Sequence, residues 1–504
     1  MSLENKMDFL SCILWLCLIW ILIKTFHMIP RSNATHSKLP PGPKPFPVIG
    51  NLLELGEKPH KSLSKLAKAH GPIMSLKLGK VTTIVISSAD IAKEVLQTHD
   101  RLLADRTIPD AIRVYNNEEY SLAWIPISAR WRNLRKICSG ELFANRILNA
   151  NEDIRHKKVQ ELLAETHQCG LTGEAVDIGK AAFKTTLNLL SNTIFSVDLA
   201  GKDSDKTGAL KELIWNVMKE AANPNLADFF PVLKKVDPQG IRRRMAGHTR
   251  VILGLFDGMI NQRLQLRKLS GSITDSDFLD ILLGISEEKS EEMNKTTILH
   301  LLRDLFVAGT DTTSATLEWA MAELLHNPET LSKAKTELEQ VIGKGNPMVE
   351  SDIARLPYLQ AVVKETFRLH PVAPLLLPRK AEADVEINGY IIPKGAQVLV
   401  NAWAIGRDPS SWEKANSFMP ERFLGSEIDF KGRNFELIPF GGGRRICPGL
   451  PLAMRMLHLM LGSLIHKFDW KLEEGVKCED MNMEDKFALT LQLAHPLRVV
   501  PIPL

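Results

Sequence analysis

The sequence lacks paired cysteines. Its six cysteines are Cys12, Cys17, Cys138, Cys169, Cys447 and Cys478, and no two of them form a C-x-x-C pair. This spacing argues against a zinc ribbon and against a redox dithiol. In a chain of 504 residues, scattered thiols are typical of a reducing compartment rather than of a disulfide framework.

A strong charge excess and a phosphate-binding loop are also missing. The formal net charge is only +4, which gives no electrostatic argument for nucleic-acid binding. The pattern G-x-x-x-x-G-K-[ST] of a phosphate loop does not occur. With 44% hydrophobic and 24% charged residues, the composition is that of a globular protein with a large core.

One long apolar run lies near the N-terminus. From Phe9 to Ile23 no residue is charged. A bilayer-spanning helix needs about 20 apolar residues, and Lys24 can lengthen the run by extending its side chain to the interface. No acid occurs from position 24 to 45, while several basic residues do, which places the downstream chain in the cytosol. Since no small-residue cleavage site follows, residues 1–29 are predicted to be a membrane anchor rather than a cleaved signal peptide.

The rest of the chain is predicted to be a hinge and one body. Residues 30–51 include "KLPPGPKPFPVIGN", whose five prolines predict a stiff, extended spacer. Residues 52–504 contain no clean linker, and helical periodicity dominates them. Short strands are predicted within 71–88 and 386–406, the second with an Asn-Gly hairpin turn. The expected fold class is mainly α with small β-sheets.

The segment "IPFGGGRRICPGLPLAMRM" (438–456) sets Cys447 between glycines and a predicted helix. Pro448 is typical of a first helical position, which puts Cys447 at the N-cap, where free N–H groups stabilise a thiolate. Such a cysteine can be an inert core residue, a nucleophile or a metal ligand. A hydrolase needs a histidine base, but the nearest following ones, His458 and His466, lie on the ensuing helix, and zinc needs further ligands. The bare backbone favours a haem iron held by one thiolate.

The pattern Phe440-x-x-Gly443-x-Arg445-x-Cys447-x-Gly449 matches the signature of the cytochrome P-450 haem-thiolate proteins, and the chain resembles that family over its whole length. The resemblance implies that Cys447 is the fifth ligand to the iron of haem b. It implies that Phe440 and Arg445 belong to the haem site, with Arg445 on a propionate. It also implies electrons from NADPH through a membrane-bound reductase, and an endoplasmic reticulum membrane protein with its catalytic domain on the cytosolic face.

A long helical pattern over residues 298–329 has an unusual centre, Ala308-Gly309-Thr310-Asp311-Thr312-Thr313. Small residues there are also typical of a close helix crossing, and hydroxyls inside a helix bond backward to carbonyls. In the family that the chain resembles, this helix crosses the distal face of the haem. The resemblance implies that Asp311 and Thr312 are the acid–alcohol pair that delivers protons during dioxygen cleavage.

Two further motifs are implied to contact the haem. "RWRNLRKIC" (130–138) sets Trp131 and Arg135 four residues apart, on one helix face. Without the resemblance this is an ordinary amphipathic helix with solvated arginines. With it, Trp131 and Arg135 contact the haem propionates, and Arg379 in "PLLLPRKA" (374–381) is a third such contact.

Glu365 and Arg368 in "KETFRLHP" are three residues apart on a predicted helix. Alone they predict a surface ion pair of small energetic value. The resemblance joins them with Arg422 of "FMPERF" in a buried structural network.

Stretches such as "TLNLLSN", "NAWAIGRDP" and "FELIPFGGGRRICPGLPLA" are similar to the plant family that includes geraniol 8-hydroxylase and related terpenoid oxidases. The resemblance implies hydroxylation of an apolar terpenoid, either a monoterpenol such as geraniol or linalool or a sesquiterpene such as santalene or bergamotene. It places eleven uncharged residues around the substrate: Ile112, Val114, Leu122, Phe306, Ala308, Gly309, Val372, Ala373, Leu376, Phe487 and Leu489.

Three alternatives stay open on the sequence. They are a haem-thiolate isomerase or dehydratase that uses no dioxygen, a haem protein without catalysis, and a hydroxylase of a phenol such as tyrosine. The intact Asp311-Thr312 pair argues against the first two. An apolar pocket penalises an unpaired substrate charge, which argues against tyrosine.

A basic cluster lies beside Trp131 and Arg135. Arg132 and Lys136 are also four residues apart, and like charges at that spacing destabilise a helix by about 0.2–0.5 kcal/mol. The cluster is either a solvated helix face or a docking patch for an acidic reductase. The second interpretation requires both side chains to be exposed.

Overall fold

The computed structural model describes most of the chain. The described residues are Trp15, Leu16, Leu18, Trp20 and 39–504 without 202–203, 271–276, 289–292 and 474–476. Apart from those four, which are helical, the predicted anchor over residues 1–29 lies outside the described part of the chain. The predicted hinge is described from residue 39 onward. No helix within these described ranges is long and apolar enough to cross a bilayer.

Helices dominate the described body. In chain order they are α1 (Pro59–His70), α2 (Ala89–Lys93), α3 (Asp100–Leu103), α4 (Asn117–Tyr120), α5 (Ala129–Ile137), α6 (Asn145–Ala150), α7 (Glu152–Thr172), α8 (Ile178–Phe195), α9 (Ser204–Ala222), α10 (Leu226–Phe229), α11 (Ile241–Ser270), α12 (Phe278–Glu288), α13 (Lys295–His326), α14 (Pro328–Ile342), α15 (Pro357–Leu369), α16 (Ala402–Ile405) and α17 (Leu450–Lys467). The prediction of a mainly helical fold is confirmed.

The strands form small sheets. They are β1 (Ile73–Leu78), β2 (Val81–Ile86), β3 (Asp105–Arg106), β4 (Val176–Asp177), β5 (Arg379–Lys380), β6 (Val385–Ile387), β7 (Tyr390–Ile392), β8 (Gln397–Val400), β9 (Phe468–Leu472), β10 (Asp485–Phe487), β11 (Leu491–Leu493) and β12 (Arg498–Pro503). In the described residues the strand orders are β1-β2-β8-β5-β3, β4-β12-β9, β6-β7 and β10-β11. The pairing of β2 with β8 is parallel.

Both predicted strand regions are present. Strands β1 and β2 pair antiparallel within the predicted region 71–88. Strands β6 and β7 pair antiparallel in the predicted region 386–406, and β6 begins one residue earlier, at Val385. Asn388 and Gly389 connect β6 to β7 with φ angles of +48° and +77°. Positive φ at both central positions is the requirement that Asn-Gly turns meet.

The proline segment packs against β1. Ser75 donates its hydroxyl to the Pro40 carbonyl at 2.7 Å and its N–H to the Pro41 carbonyl at 2.8 Å. A Cβ on Gly42 would lie 1.9 Å from the Ser75 carbonyl oxygen, so this close approach requires glycine. Hydrogen bonds from Ser75 to Pro40 and Pro41 and from Asn51 to Lys77 thus hold this part of the predicted stiff spacer on β1.

Helix α13 is continuous through its unusual centre. Asn294 accepts the Thr297 N–H at 2.9 Å and caps the N-terminus, and the helix ends at His326, before Pro328. Gly309 lies where α13 crosses α8, since a Cβ on it would come within 2.8 Å of Leu190 Cδ1. Close helix packing therefore accounts for this glycine.

The predicted glutamate–arginine network is buried in the core. Arg422 Nε lies 3.0 Å from Glu365 Oε1. Arg368 donates to the carbonyls of Gly406, Ala415 and Ser417 at 2.5–2.9 Å. The network thus fastens α15 to the segment before the cysteine loop, as the family resemblance implied, and not as the exposed pair that the spacing alone predicts.

Candidate active site

The cysteine loop turns into α17 later than predicted. The helix begins at Leu450 with Gly449 as its N-cap, so Pro448 is not its first residue and Cys447 is not its cap. Pro451 supplies the proline of the first turn instead. Cys447 still lies at the helix start, because the N–H groups of Gly449 and Leu450 bond to its sulfur.

Two glycines shape the loop before the cysteine. Gly441 and Gly443 have φ angles of +70° and +65°, where residues with a Cβ are strained. At Gly443 a Cβ would also lie 2.0 Å from the Leu96 carbonyl oxygen. The Cys447 N–H donates to the Phe440 carbonyl at 3.0 Å, which closes the loop and fixes the position of the thiol.

Burial has the largest effect on the Cys447 thiol, and its pKa is raised overall. Burial raises its pKa, while the N–H of Gly449, the charge of Arg135 and the N–H of Leu450 lower it. Cys138 has a different environment, because burial raises its pKa to about 12. More groups that stabilise a thiolate therefore surround Cys447 than Cys138.

Buried arginines gather beside this loop. Arg445 donates to the main-chain carbonyls of Ala104, Leu122 and Ile125 at 3.0, 3.3 and 2.5 Å. Burial and the neighbouring charge of Arg379 lower the pKa of Arg445 to about 10. The charges of Asp105 and Asp100 also act on this guanidinium, but its hydrogen bonds go to neutral carbonyls, which leaves it able to bind an anionic group.

Arg379 and Arg106 complete the cationic cluster. Arg379 donates to Asp100 at 3.2 Å and to the Gly442 carbonyl at 3.3 Å. Burial and the charges of Arg379 and Arg445 lower the pKa of Arg106. Three mutually repelling arginines around the cysteine loop fit the carboxylates of a haem, whose negative charge would relieve that repulsion.

Helix α5 points Trp131 and Arg135 inward. Ser128 caps the helix by accepting the Trp131 N–H at 3.2 Å. Trp131 is buried, and its ring centre lies 5.0 Å from the Arg445 guanidinium carbon. Arg135 is half-buried, and its charge acts on Cys447. Two of the sequence-predicted haem contacts therefore lie beside the cysteine loop.

The opposite side of α5 faces solvent. Arg132 and Lys136 are both exposed, while Leu134 and Ile137 are buried. The predicted orientation of this helix is confirmed. The basic pair is thus available on the surface above the cysteine side of the site.

Accessible atoms inside the body mark a cavity. Ala308 is exposed although Val307 and Thr310, its neighbours on α13, are buried. Cys447 is only half-buried, at the start of α17, which packs against α13. The accessible residues on α13 and α17 leave space for a flat group between the two helices. This space, the Cys447 thiol and the neighbouring arginines together fit a haem.

The predicted acid–alcohol pair is split between two environments. The Thr312 hydroxyl donates to the Ala308 carbonyl at 2.7 Å, beside the cavity. Asp311 accepts hydrogen bonds from Thr490 and Gln492, each at 2.5 Å. Burial raises the pKa of Asp311, and the Thr490 bond, the Lys211 charge, the Gln492 bond and the Lys486 charge lower it.

The predicted substrate residues fall into several apolar groups. One cluster brings together Ile112, Val114, Leu122, Phe306 and Leu489. In contrast, Val372 belongs to a second cluster, Leu376 packs against a third, Ala373 is half-buried and Phe487 stacks on His60. The structure thus gathers five of the eleven predicted residues in one apolar cluster.

Sequence reasoning missed four polar residues of this region. Arg106 belongs to the cationic cluster, and Asp100 accepts a hydrogen bond from Arg379 of that cluster. Thr490 and Gln492 donate hydrogen bonds to Asp311. Their local sequence carries no motif, because their partners lie far away along the chain. In the sequence, Thr490 and Gln492 are distinguished only as polar residues within an apolar, strand-like segment.

Comparison with known proteins agrees with this geometry. The cytochrome P450 family profile matches residues 40–496. The chain is 55% identical to the geraniol 8-hydroxylase of Catharanthus roseus over 98% of this chain and 99% of that protein, and 54% identical to that of Swertia mussotii over 99% of each. It is 52% identical to the drimenol monooxygenase of Persicaria hydropiper over 98% of this chain and 97% of that protein. The chain therefore belongs to the cytochrome P450 family of haem monooxygenases.

Proposed function

We propose that the protein hydroxylates a neutral terpenoid, a monoterpenol such as geraniol or linalool or a sesquiterpene such as santalene or bergamotene. The observation that carries this proposal is identity of 54–55% to two geraniol 8-hydroxylases over nearly the whole length of each chain. Family membership implies haem b as cofactor and electrons from NADPH through a reductase.

Cys447 would hold the haem iron, and Arg445, Arg379, Trp131 and Arg135 would bind its propionate side. The bound haem supplies dioxygen activation, which a thiolate ligand favours by pushing electron density toward O–O cleavage. The chain itself positions the groups: the N–H groups at the start of α17 stabilise the thiolate, and the mutual repulsion of Arg445, Arg379 and Arg106 favours a bound anion. Phe440 fixes the loop through its carbonyl.

Proton supply would come from Asp311 and Thr312. Thr312 presents a hydroxyl beside the exposed Ala308, and the preceding residue, Asp311, has a buried carboxyl. A positioned acid–base group contributes about 10²–10⁴-fold to such a reaction. Small side chains at this point leave room for dioxygen, and the apolar residues around them exclude water.

The substrate pocket would be formed by the eleven uncharged residues named above. Ile112, Leu122 and Phe306 are buried side chains of one apolar cluster. An apolar wall disfavours a charged substrate, because a charge without a partner is costly to bury. Tyrosine hydroxylation is therefore not favoured, and the hydroxylase and monooxygenase names of the relatives give no support to an isomerase or dehydratase.

The protein would act at the endoplasmic reticulum membrane, with residues 1–29 as anchor, 30–51 as connection and 52–504 as cytosolic domain. The apolar run from Phe9 to Ile23 supports the anchor. Exposed apolar residues also occur on the body: Leu53, Val232 and Val236 are 72%, 76% and 69% exposed. Such residues favour additional peripheral contact with a bilayer.

Turnover tests the proposal. Membranes carrying the protein and an NADPH reductase are incubated with a panel of mono-, sesqui- and diterpenes and with tyrosine, and products are measured by mass spectrometry. We expect NADPH-dependent hydroxylation of a C10 alcohol or C15 olefin, with neighbouring homologues accepted, since one methylene is worth only about 1–3 kcal/mol in an apolar pocket. The matched control is Cys447→Ala. Turnover of tyrosine without any terpenoid product overturns the proposal.

Removal of residues 1–29 tests the anchor separately. The truncated body should keep haem and should be released from membranes by alkaline extraction, because it retains only peripheral apolar contacts. The full chain should resist the same extraction. If the truncated protein also resists extraction, an integral segment lies elsewhere and the anchor assignment is wrong.

A further inference from the structure

One hairpin donates hydrogen bonds to both oxygens of the buried Asp311 carboxylate. Thr490 Oγ1 donates to Oδ2 and Gln492 Nε2 donates to Oδ1, each at 2.5 Å. Asp311, Thr490 and Gln492 are 0%, 3% and 6% exposed. The two donors lie in the turn and second strand of the β10–β11 hairpin, almost 180 residues from Asp311 along the chain.

The same hairpin borders the predicted substrate pocket. Leu489 is half-buried and packs against the apolar cluster that contains Ile112, Leu122 and Phe306, and it donates its N–H to the Met218 carbonyl of α9 at 3.1 Å. Leu489 and Thr490 are consecutive residues in the turn between β10 and β11. Leu489 and Thr490 therefore couple one residue of the pocket directly to one that holds the acid.

The hairpin bonds keep the acid away from Thr312. Both Asp311 oxygens are occupied by hairpin donors, and the Thr312 hydroxyl is bonded to the Ala308 carbonyl. Two donors favour the ionised carboxylate. The charged groups acting on Asp311 are Lys211 of α9 and Lys486 of β10.

Further charges extend this polar region along α13. Glu318 lies seven residues beyond Asp311 and is also buried. Lys211, Lys486 and Asp177 all act on Glu318. Lys486 is half-buried, with its ammonium 4.5 Å from the Trp215 ring centre. Asp311 and Glu318 thus share the charges of Lys211 and Lys486 along α13.

We propose that Thr490 and Gln492 are positioning residues for Asp311, and that a substrate pressing on Leu489 controls through them when Asp311 delivers its proton. A substrate that fits the hairpin loosens a donor and lets the carboxyl turn toward Thr312. When a substrate fits poorly, Asp311 stays bound to the hairpin donors and delivers no proton. Reduced oxygen is then released as peroxide. This inference rests on the proposed role of Asp311 in the proposed function.

Removal of one donor tests the proposal in two ways. In Thr490→Val and Gln492→Leu the carboxyl is free to turn whether or not the substrate fits. Product per NADPH from a poorly fitting terpenoid should therefore rise about threefold to tenfold toward that from a well-fitting one, and its peroxide should fall, as expected for loss of one hydrogen bond to a charged group. Thr490→Ser keeps the hydroxyl and should restore the dependence of coupling on substrate fit. Thr186→Val is the matched control, because that buried hydroxyl bonds only to the main chain of its own helix.

The second readout needs no turnover. The infrared carbonyl band of protonated Asp311, assigned by its loss in Asp311→Asn, is titrated in the ferric, substrate-free enzyme. Without a donor to the carboxylate, the band should persist to higher pH than in wild type. This titration stays informative even if no terpenoid proves to be a substrate.

Haem content and the carbon monoxide spectrum identify folded variants. If Thr490→Val loses haem, Thr490→Ala removes the hydroxyl without adding a methyl group and carries the same test. Folded variants with an unchanged Asp311 titration and unchanged product per NADPH overturn the proposal. An altered titration with unchanged coupling overturns it too, since the hairpin would then be structural only.

Discussion

Glu365 and Arg368 form a two-pronged ion pair in the core, with Nε–Oε2 and Nη2–Oε1 distances both 2.7 Å and both side chains fully buried. Removal of one partner leaves the other charge buried without compensation. Such a loss costs about 3–5 kcal/mol. This pair is therefore expected to limit stability more than any exposed pair.

Glu365→Gln should lower the free energy of unfolding by about 3–5 kcal/mol and reduce haem retention. Chemical unfolding followed by circular dichroism and by haem absorbance measures both. The control is Lys333→Gln, which breaks an exposed pair with Glu421 and should leave the midpoint near wild type. Equal midpoints for the two variants would show that the buried network is not a main source of stability.

Thr312→Ala should uncouple turnover without loss of haem. The hydroxyl beside Ala308 is removed, so product per NADPH should fall about tenfold and peroxide should rise. A tenfold fall is part of the rate enhancement that a positioned proton-transfer group supplies. Thr316→Ala removes a hydroxyl one turn further along α13 and serves as control. Unchanged coupling in Thr312→Ala would place the proton relay elsewhere.

Arg132→Glu with Lys136→Glu should slow NADPH-driven turnover, most strongly at low ionic strength. Both side chains are exposed, and opposite charge mainly accelerates encounter, with screening over about 8–10 Å. Turnover driven by added peroxide bypasses the reductase and should stay nearly constant. Lys268→Glu, an exposed lysine at the end of α11, is the control. A parallel fall of both reactions would assign the helix a structural role.

Acid should destabilise the protein through buried histidines. Burial lowers the pKa of His458 from 6.5 to about 4. Between these values the unfolded chain binds more protons, so stability falls as the pH falls from about 6.5 toward 4. His458→Gln should flatten this dependence of the melting temperature, with part of it kept by His300, whose pKa burial also lowers to about 4.

The exposed His495 supplies the control for that titration. His495→Gln should follow the wild-type pH dependence. The same pH dependence in His458→Gln and wild type would mean that other groups control acid unfolding.

Local patterns predicted the secondary structure and the faces of single elements. Helix α13, the Asn388-Gly389 turn and the inward side of α5 each depend on neighbours a few residues apart, which periodicity and turn chemistry reveal. The start of α17 was misplaced, because Pro448 and Pro451 both suit a helix N-terminus and only the loop geometry distinguishes them.

Long-range partners were beyond the reach of the sequence. The packing of Pro40 on Ser75 and the bonds from Thr490 and Gln492 to Asp311 join residues from about 35 to 181 positions apart, and no spacing rule links them. The roles at the haem were available through the family signature alone, since the physical chemistry of a lone cysteine allows several uses.

The carbon monoxide difference spectrum of Cys447→Ala tests the central assignment most directly. Reduced wild-type protein and Cys138→Ala, which removes another buried thiol near Arg135, should both show the red-shifted band of a thiolate-bound haem, whereas Cys447→Ala should lack it. A normal thiolate-type band in Cys447→Ala would contradict the assignment of Cys447 as the iron ligand.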